Sequence, residues 1–243
     1  MTLWAFGDSF MSYDANYIRD IATAAQCDKV RVYGKPGTGL LFTYQAILSV
    51  LDKIEQDDLV IIGLSDMSRH LFGPTKIWDV MLAGVSRKRA PNKETYQAAV
   101  DYYKYLYRED HVSKLAHAVV SSLIYNIVPS LNTHRVSVIR CLSTPTTVSK
   151  LLPKYLFDDI YRPCLYNVAK VFLIKHKGYK GDDNVGIMKV IGTTKNHWID
   201  NEPDYPKFFY SRMRWMLEEL QLDEGAILSL TEGATPESYN NLI

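Results

Sequence analysis

The sequence predicts an α/β protein in which a mostly parallel sheet lies between two layers of helices, a three-layer α/β/α arrangement. Three observations point there. Strand-like and helix-like segments alternate from Thr2 to Gly63. The best strand, Leu59-Val60-Ile61-Ile62-Gly63, is continuously apolar rather than alternating, as expected of a strand covered on both faces. Each of the first three strands also runs into glycine or small polar residues, the composition of the functional edge of a parallel sheet.

Taken in order, Thr2 to Phe6 reads as a short buried strand that leads into Gly7-Asp8-Ser9-Phe10. Asn16 to Ala25 has helical spacing through Tyr17, Ile18, Ile21 and Ala25. Val30 to Tyr33 is a second strand, ended by Gly34-Lys35-Pro36-Gly37-Thr38-Gly39. Leu41 to Ile54 is an amphipathic helix with Ala46, Ile47, Val50, Leu51 and Ile54 on one face, and Asp57-Asp58 then breaks the chain before the third strand. From about 67 to 133 the pattern changes to a helical insertion, with helices expected over Glu94 to Tyr107 and Val112 to Val128 and a basic turn at Arg87-Lys88-Arg89. Arg135 to Cys141 returns to a strand. Val148 to Ile174 is helical in part, interrupted by Pro153 and Pro163. Gly178 to Asn196, rich in Gly, Asp and Asn, reads as a long loop, Tyr205 to Leu222 as the final helix, and 231–243 as a polar tail. The expected organisation is one domain over 1–243.

Composition narrows the function. The 243 residues are 47% hydrophobic, enough to bury a core without metal or disulfides and too apolar for a disordered chain. A net charge of +1 argues against a protein whose main work is binding nucleic acid. Cys27, Cys141 and Cys164 are odd in number and far apart, which fits a reducing compartment and neither a zinc knuckle nor a disulfide framework. The N-terminus has no basic region followed by a cleavable apolar run, and the longest apolar stretch, Ala116 to Val128, is interrupted and too short to span a bilayer. A cytoplasmic protein without membrane attachment is therefore expected. Histidine spacing matches no metal site, and the glycines form no nucleotide-binding loop. Tyrosine, with 17 residues, is in excess, and five of these lie between 96 and 107. Their expected role is packing on the sheet. The alternative is to wall a cleft.

The strand ends suggest acyl transfer. Ser9 follows the first strand, Gly37 and Gly39 the second, Ser65-Asp66 the third, and His197 stands in a loop before the last expected helix. A serine nucleophile, backbone N–H donors and a histidine base are the parts that such chemistry needs. Each also has a plainer use: Ser9 and Ser65 as helix caps, Gly37 and Gly39 as turn residues with positive φ, and His197 as a surface side chain. Asp8 is expected to accept from loop N–H groups rather than to act as an acid.

Phe6-Gly7-Asp8-Ser9-Phe10 resembles the first block of the SGNH, or GDSL-type, hydrolases, in which the serine is the nucleophile. Gly37 in Pro36-Gly37-Thr38-Gly39 resembles the glycine that donates an N–H to the oxyanion in that family. Gly63-Leu64-Ser65-Asp66 falls where the family has Gly-x-Asn-Asp, with Ser65 in place of the asparagine donor. Asn196-His197-Trp198 falls where the family has Asp-x-x-His, with Thr194 in place of the acid. The orienting acid is then sought at Asp200 or Asp204, or else at Asp182, Asp183 or a backbone carbonyl. The resemblance covers residues 2 to about 70 and, more loosely, 190 to 220. It implies a flavodoxin-like fold in the SGNH style and a serine esterase or deacetylase acting on a small-molecule or carbohydrate ester. Ser9 and His197 would be catalytic, Gly37 and Ser65 would face the oxyanion, and no metal or organic cofactor would be needed. Gly63 to Arg69 also resembles a variant third block of SGNH-like proteins encoded by bacteriophages, which implies a host cytoplasm or virion location. The two altered positions, Ser65 and Thr194, keep a second expectation open: the same frame with eroded catalysis, acting as a phage-associated structural or binding protein.

Overall fold

A computed structural model of the chain describes residues 1–12, 16–35, 38–65, 70–71, 79–80, 92–106, 109–141, 162–193, 199 and 202–233. Its centre is a four-stranded, all-parallel sheet of β1 (Thr2–Gly7), β2 (Lys29–Gly34), β3 (Leu59–Leu64) and β6 (Val136–Arg140), in the order β2-β1-β3-β6. A separate two-stranded antiparallel ribbon, β4 (His70–Leu71) with β5 (Asp79–Val80), lies within the segment expected to be a helical insertion. The sheet is in register at its carboxyl edge, where Gly7 pairs with Gly34 and Gly63 with Ile139.

Alternation along the strands divides the core in two. Leu3, Ala5, Leu59, Ile61 and Ile139 face one side, and Trp4, Phe6, Val60, Ile62 and Leu64 the other. Every residue of β3 is buried, which is why its sequence is continuously apolar. The first face is covered by α1 (Asn16–Ala24), α5 (Leu165–Lys177), α6 (Asn184–Thr193), α7 (Tyr205–Arg212), α8 (Arg214–Glu219) and α9 (Glu224–Gly233). The second is covered by α2 (Leu40–Leu48) and, following α3 (Lys93–Asp101), by α4 (Glu109–Ser122), which continues through a wide turn over Leu123–Ile127. Step direction explains the sides. β1 to β2 moves one way along the sheet and β2 to β3 the other, so crossovers of the same hand put α1 and α2 on opposite faces. From β3 to β6 the chain keeps the second direction, and α4 lies on the α2 face.

At the amino edge, the residues expected to break the chain tie the sheet together. The buried Asp58 carboxylate accepts from Thr2 N at 2.6 Å, Trp4 Nε1 at 2.8 Å and Glu55 N at 3.0 Å, and its carbonyl accepts from Thr133 Oγ1 at 2.7 Å. One side chain thus anchors the starts of β1 and β3.

Several helices depart from expectation. The Leu41 to Ile54 helix stops at Leu48: the Ser49 hydroxyl turns back to the Ala46 carbonyl and Val50 leaves helical geometry, although Val50 and Ile54 stay buried and so preserve the pattern. The Tyr205 to Leu222 helix is broken at Met213 into α7 and α8. Gly178 to Asn196 is no long loop, for α6 occupies most of it. Asp183 Oδ1 accepts from Gly186 N at 2.9 Å, and Ile187 and Ile191, one turn apart, enter the core. The glycine there makes room for the cap, since a Cβ on Gly186 would lie 2.3 Å from Asp183 Oδ2. Nor does the fold end at α8. Asp223 caps α9 through Ala226 N at 2.8 Å, and α9 packs on α1 and α7, reaching into the stretch expected to be tail. The basic turn 87–89 and positions 234–243 lie outside the described residues.

At the carboxyl edge, three glycines from three strands close on one residue, Met11. A Cβ on Gly7 would stand 2.6 Å from Met11 Cγ, one on Gly63 2.7 Å from Met11 Cε, and one on Gly34 only 1.8 Å from the Met11 carbonyl oxygen. The last clash is with backbone and cannot be relieved by a rotamer. Gly34→Ala is therefore expected to lose at least about 2 kcal/mol in a urea melt, as overpacking does. Gly181→Ala, whose Cβ would have nothing nearer than 4.0 Å, is the control and should change little. Equal losses for the two variants would refute the close approach.

Candidate active site at the carboxyl edge of the sheet

In an open parallel sheet the crevice forms where neighbouring strands send their connections to opposite faces. Here β1 leads to α1 on one face, and β3 leads on towards α4 on the other. Ser9 follows β1 and Ser65 follows β3, so the structure brings the ends carrying these two residues to the same switch point.

Ser9 opens a three-residue 3-10 turn, Ser9–Met11, and is half-buried. The turn is heavily constrained. Asp8, fully buried, accepts from Phe10 N through Oδ1 at 3.0 Å, and its carbonyl accepts from Met11 N at 3.0 Å. Asp8 is thus the cap of this turn and, as expected, an acceptor for loop N–H groups. Phe10 O accepts from the Tyr17 hydroxyl at 2.7 Å. Because 3-10 geometry turns the chain about 120° per residue, Ser9 and Met11 project in different directions. Met11 is fully buried under the strand ends, and Ser9 is not.

The loop after β2 is tied to the same place. The Gly7 carbonyl accepts from Lys35 N at 3.3 Å and from Thr38 Oγ1 at 3.4 Å, and the Thr38 hydroxyl also lies 2.7 Å from Lys35 O. Gly39 caps α2 with φ of −110°, so the alternative of a positive-φ turn residue fails there. Ser65 is buried, and its Oγ lies 3.5 Å from Thr43 Oγ1 on α2. That contact is a hydroxyl pair in which either oxygen can donate. Gly37, His197 and Asp200 lie outside the described residues, as does Thr194. Asp204 is exposed and immediately precedes α7, where its carbonyl accepts from Phe208 N at 3.1 Å.

α7 starts close to this edge. Tyr205, its first residue, is buried in the same core as Tyr17, and Phe209 one turn later packs on the Tyr17 ring with centroids 5.3 Å apart. Ile199 is buried in the same core as Phe10, Met11 and Tyr17. Cys141, at the end of β6, is buried in this core as well. Burial first, then the neighbouring Cys141, Asp8 and Tyr205, hold the Tyr17 hydroxyl well above the usual tyrosine range, so it remains a neutral donor.

Sequence reasoning missed Met11, Tyr17 as a donor, and Thr43. The three strand-end glycines were a usable signal for the first, since glycine at successive strand ends marks a close approach. Of the tyrosine cluster, Tyr96 and Tyr102 are half-buried, while Tyr105 is 67% exposed with Lys104 Nζ 4.8 Å from its ring centre, so Tyr105 does not pack on the sheet. Among the described residues no group of His, Cys, Asp and Glu is placed to hold a metal, and no described helix is long and apolar enough to cross a membrane.

Compared with family models, curated proteins and solved structures, the chain gives no match.

The Asp8 carboxylate is the cap on which the Ser9 turn rests. Asp8→Ala is expected to lower stability by about 1–2 kcal/mol in a urea melt, the usual effect of removing such a cap. Asp52→Ala, in the exposed turn before β3, should change it far less.

Proposed function

We propose that the protein is a serine hydrolase of the SGNH type, an esterase or deacetylase with Ser9 as nucleophile. One observation carries this reading: Ser9 is half-buried on a hydrogen-bonded turn at the switch point of a parallel sheet, while its neighbours Asp8, Phe10 and Met11 are buried. In the proposed reaction Ser9 Oγ attacks the acyl carbon as His197 takes the serine proton. His197 then gives that proton to the departing alcohol. Water, deprotonated by the same imidazole, attacks the acyl-enzyme and releases the acid and free Ser9. Backbone N–H groups of Ser9 and Gly37 would receive the oxyanion, with Ser65 as the side-chain donor. Asp200 and Asp204 are the acids proposed to orient His197, the latter being exposed at the head of α7. The start of α7 beside Tyr17 supports a base supplied from the segment that precedes this helix.

A second reading, a binding protein on an eroded SGNH-like frame and associated with a bacteriophage, is favoured by Ser65. Its hydroxyl is buried against Thr43 rather than presented as a longer carboxamide would be.

A fluorophosphonate probe separates the two. Covalent labelling of the wild type at Ser9, loss of the label in Ser9→Ala and much slower labelling of His197→Ala are expected for the hydrolase. Ser65→Ala should slow labelling by roughly 100-fold if its hydroxyl serves the oxyanion. A wild-type protein that takes no label, or a Ser9→Ala variant that labels equally, favours the binding protein.

A further inference from the structure

We propose that Tyr17 is a positioning residue for Ser9, acting through Phe10, and that it joins the nucleophile turn to the helical layer that leads to the base. This inference rests on the reading of Ser9 as the nucleophile.

The geometry is a clamp on the residue that follows Ser9. Phe10 N donates to Asp8 Oδ1 at 3.0 Å, which orients the Ser9–Phe10 peptide plane and hence the backbone of Ser9 itself. Phe10 O accepts from the Tyr17 hydroxyl at 2.7 Å, which orients the next plane. Both planes are then fixed, one by a side chain of the turn and one by a side chain of α1. The hydroxyl has a single proton and two acceptors within reach, of which the carbonyl oxygen is the stronger and a thioether sulfur the weaker. That sulfur, Met11 Sδ, lies 2.8 Å from the hydroxyl oxygen. Burial keeps that proton in place across the neutral and alkaline range.

The Tyr17 ring packs into the helices that cover the first face. It packs at 5.3 Å on Phe209 of α7, whose first residue Tyr205 also touches Phe172 of α5 at 5.1 Å. His197 belongs to the chain segment that precedes α7. The hydroxyl thus sits on the nucleophile's turn while the ring sits on the helix that follows the base. A phenylalanine would fill the same space and pack on Phe209, so the hydroxyl has a use that packing does not explain. A nucleophile displaced by about 1 Å can lose about 100-fold in rate, which is why such a turn needs anchoring from outside itself.

The test uses the full chain and a fluorophosphonate probe in excess, with intact mass followed over time. Tyr17→Phe is expected to reach the wild-type endpoint, with every chain labelled, at a rate constant about tenfold lower, the effect of losing a single buried hydrogen bond from the reacting geometry. The pH midpoint of labelling should not move, because Tyr17 holds no transferring proton. Labelling at the wild-type rate overturns the proposal. So does a lower endpoint with an unchanged rate for the fraction that labels, which is the signature of a purely structural role. If Tyr17→Phe does not fold, 3-fluorotyrosine at position 17 keeps the ring and makes the hydroxyl a stronger donor: an altered rate constant is expected, and an identical one overturns the proposal. A wild type that takes no label refutes the nucleophile reading itself, whereas a labelled wild type with an indifferent Tyr17→Phe refutes only the role of Tyr17.

Discussion

The contact between Met11 and three strand-end glycines is the constraint on which the carboxyl edge depends. Gly7, Gly34 and Gly63 belong to three adjacent strands, and each lacks the one atom that would push Met11 out. With that atom missing, the chain after β1 folds directly over the sheet instead of looping away from it. Methionine suits the position because its unbranched, polarizable side chain fills an irregular gap between strand ends. The consequence for Ser9 is geometric. A turn whose third residue is locked downward presents its first residue elsewhere, and Asp8 and Tyr17 fix the one between them. The rigidity of the candidate nucleophile is thus a by-product of how the sheet edge is sealed.

Much of this fold is legible in the residues, for identifiable reasons. β1 and β3 are short apolar runs and β2 and β6 shorter valine-bearing ones interrupted by polar residues, and a strand covered on both faces needs no alternation to be recognised. Legibility fails where a local signal has two meanings. Asp183 and Gly186 look like loop residues, yet one caps α6 and the other leaves room for the cap. Asp223 and Gly225 mark a boundary between helices rather than the end of structure, because Ala226, Ile227 and Leu230 still have a core to join. Ser49 and Val50 interrupt α2 without disturbing its apolar rhythm, so the spacing alone reads through the break.

For the candidate site the divide runs between local and distant partners. Gly7-Asp8-Ser9-Phe10 declares a tight turn after a strand, and the roles of Asp8 as cap and Ser9 as the accessible residue follow from four consecutive positions. Thr43 and Tyr17 act on positions 22 and seven residues away in the chain, and only the fold makes them neighbours. The Ser65–Thr43 pair shows what such a partner changes. A lone serine after β3 reads as a shortened stand-in for an asparagine donor. Beside Thr43 its proton has a direction to choose. When Thr43 donates to Ser65 Oγ, the Ser65 proton is directed away from α2.

The surplus of tyrosine acquires a meaning at the same junction. The excess is most visible between 96 and 107, but the tyrosines buried in the core of the first face are Tyr17, Tyr205 and Tyr210 among others, and Tyr17 and Tyr210 link elements through their hydroxyls. Tyr210 donates to the buried Asp20 carboxylate at 2.5 Å, joining α7 to α1, as Tyr17 joins α1 to the Ser9 turn. Tyrosine combines a large apolar body with a polar tip, so it packs as core and still reaches a carbonyl or carboxylate that the core must cover. A layer of phenylalanine would bury similar area and supply neither donor. Through these two hydroxyls α7 is tied to α1, and α1 to the turn that carries the residue proposed to do the chemistry.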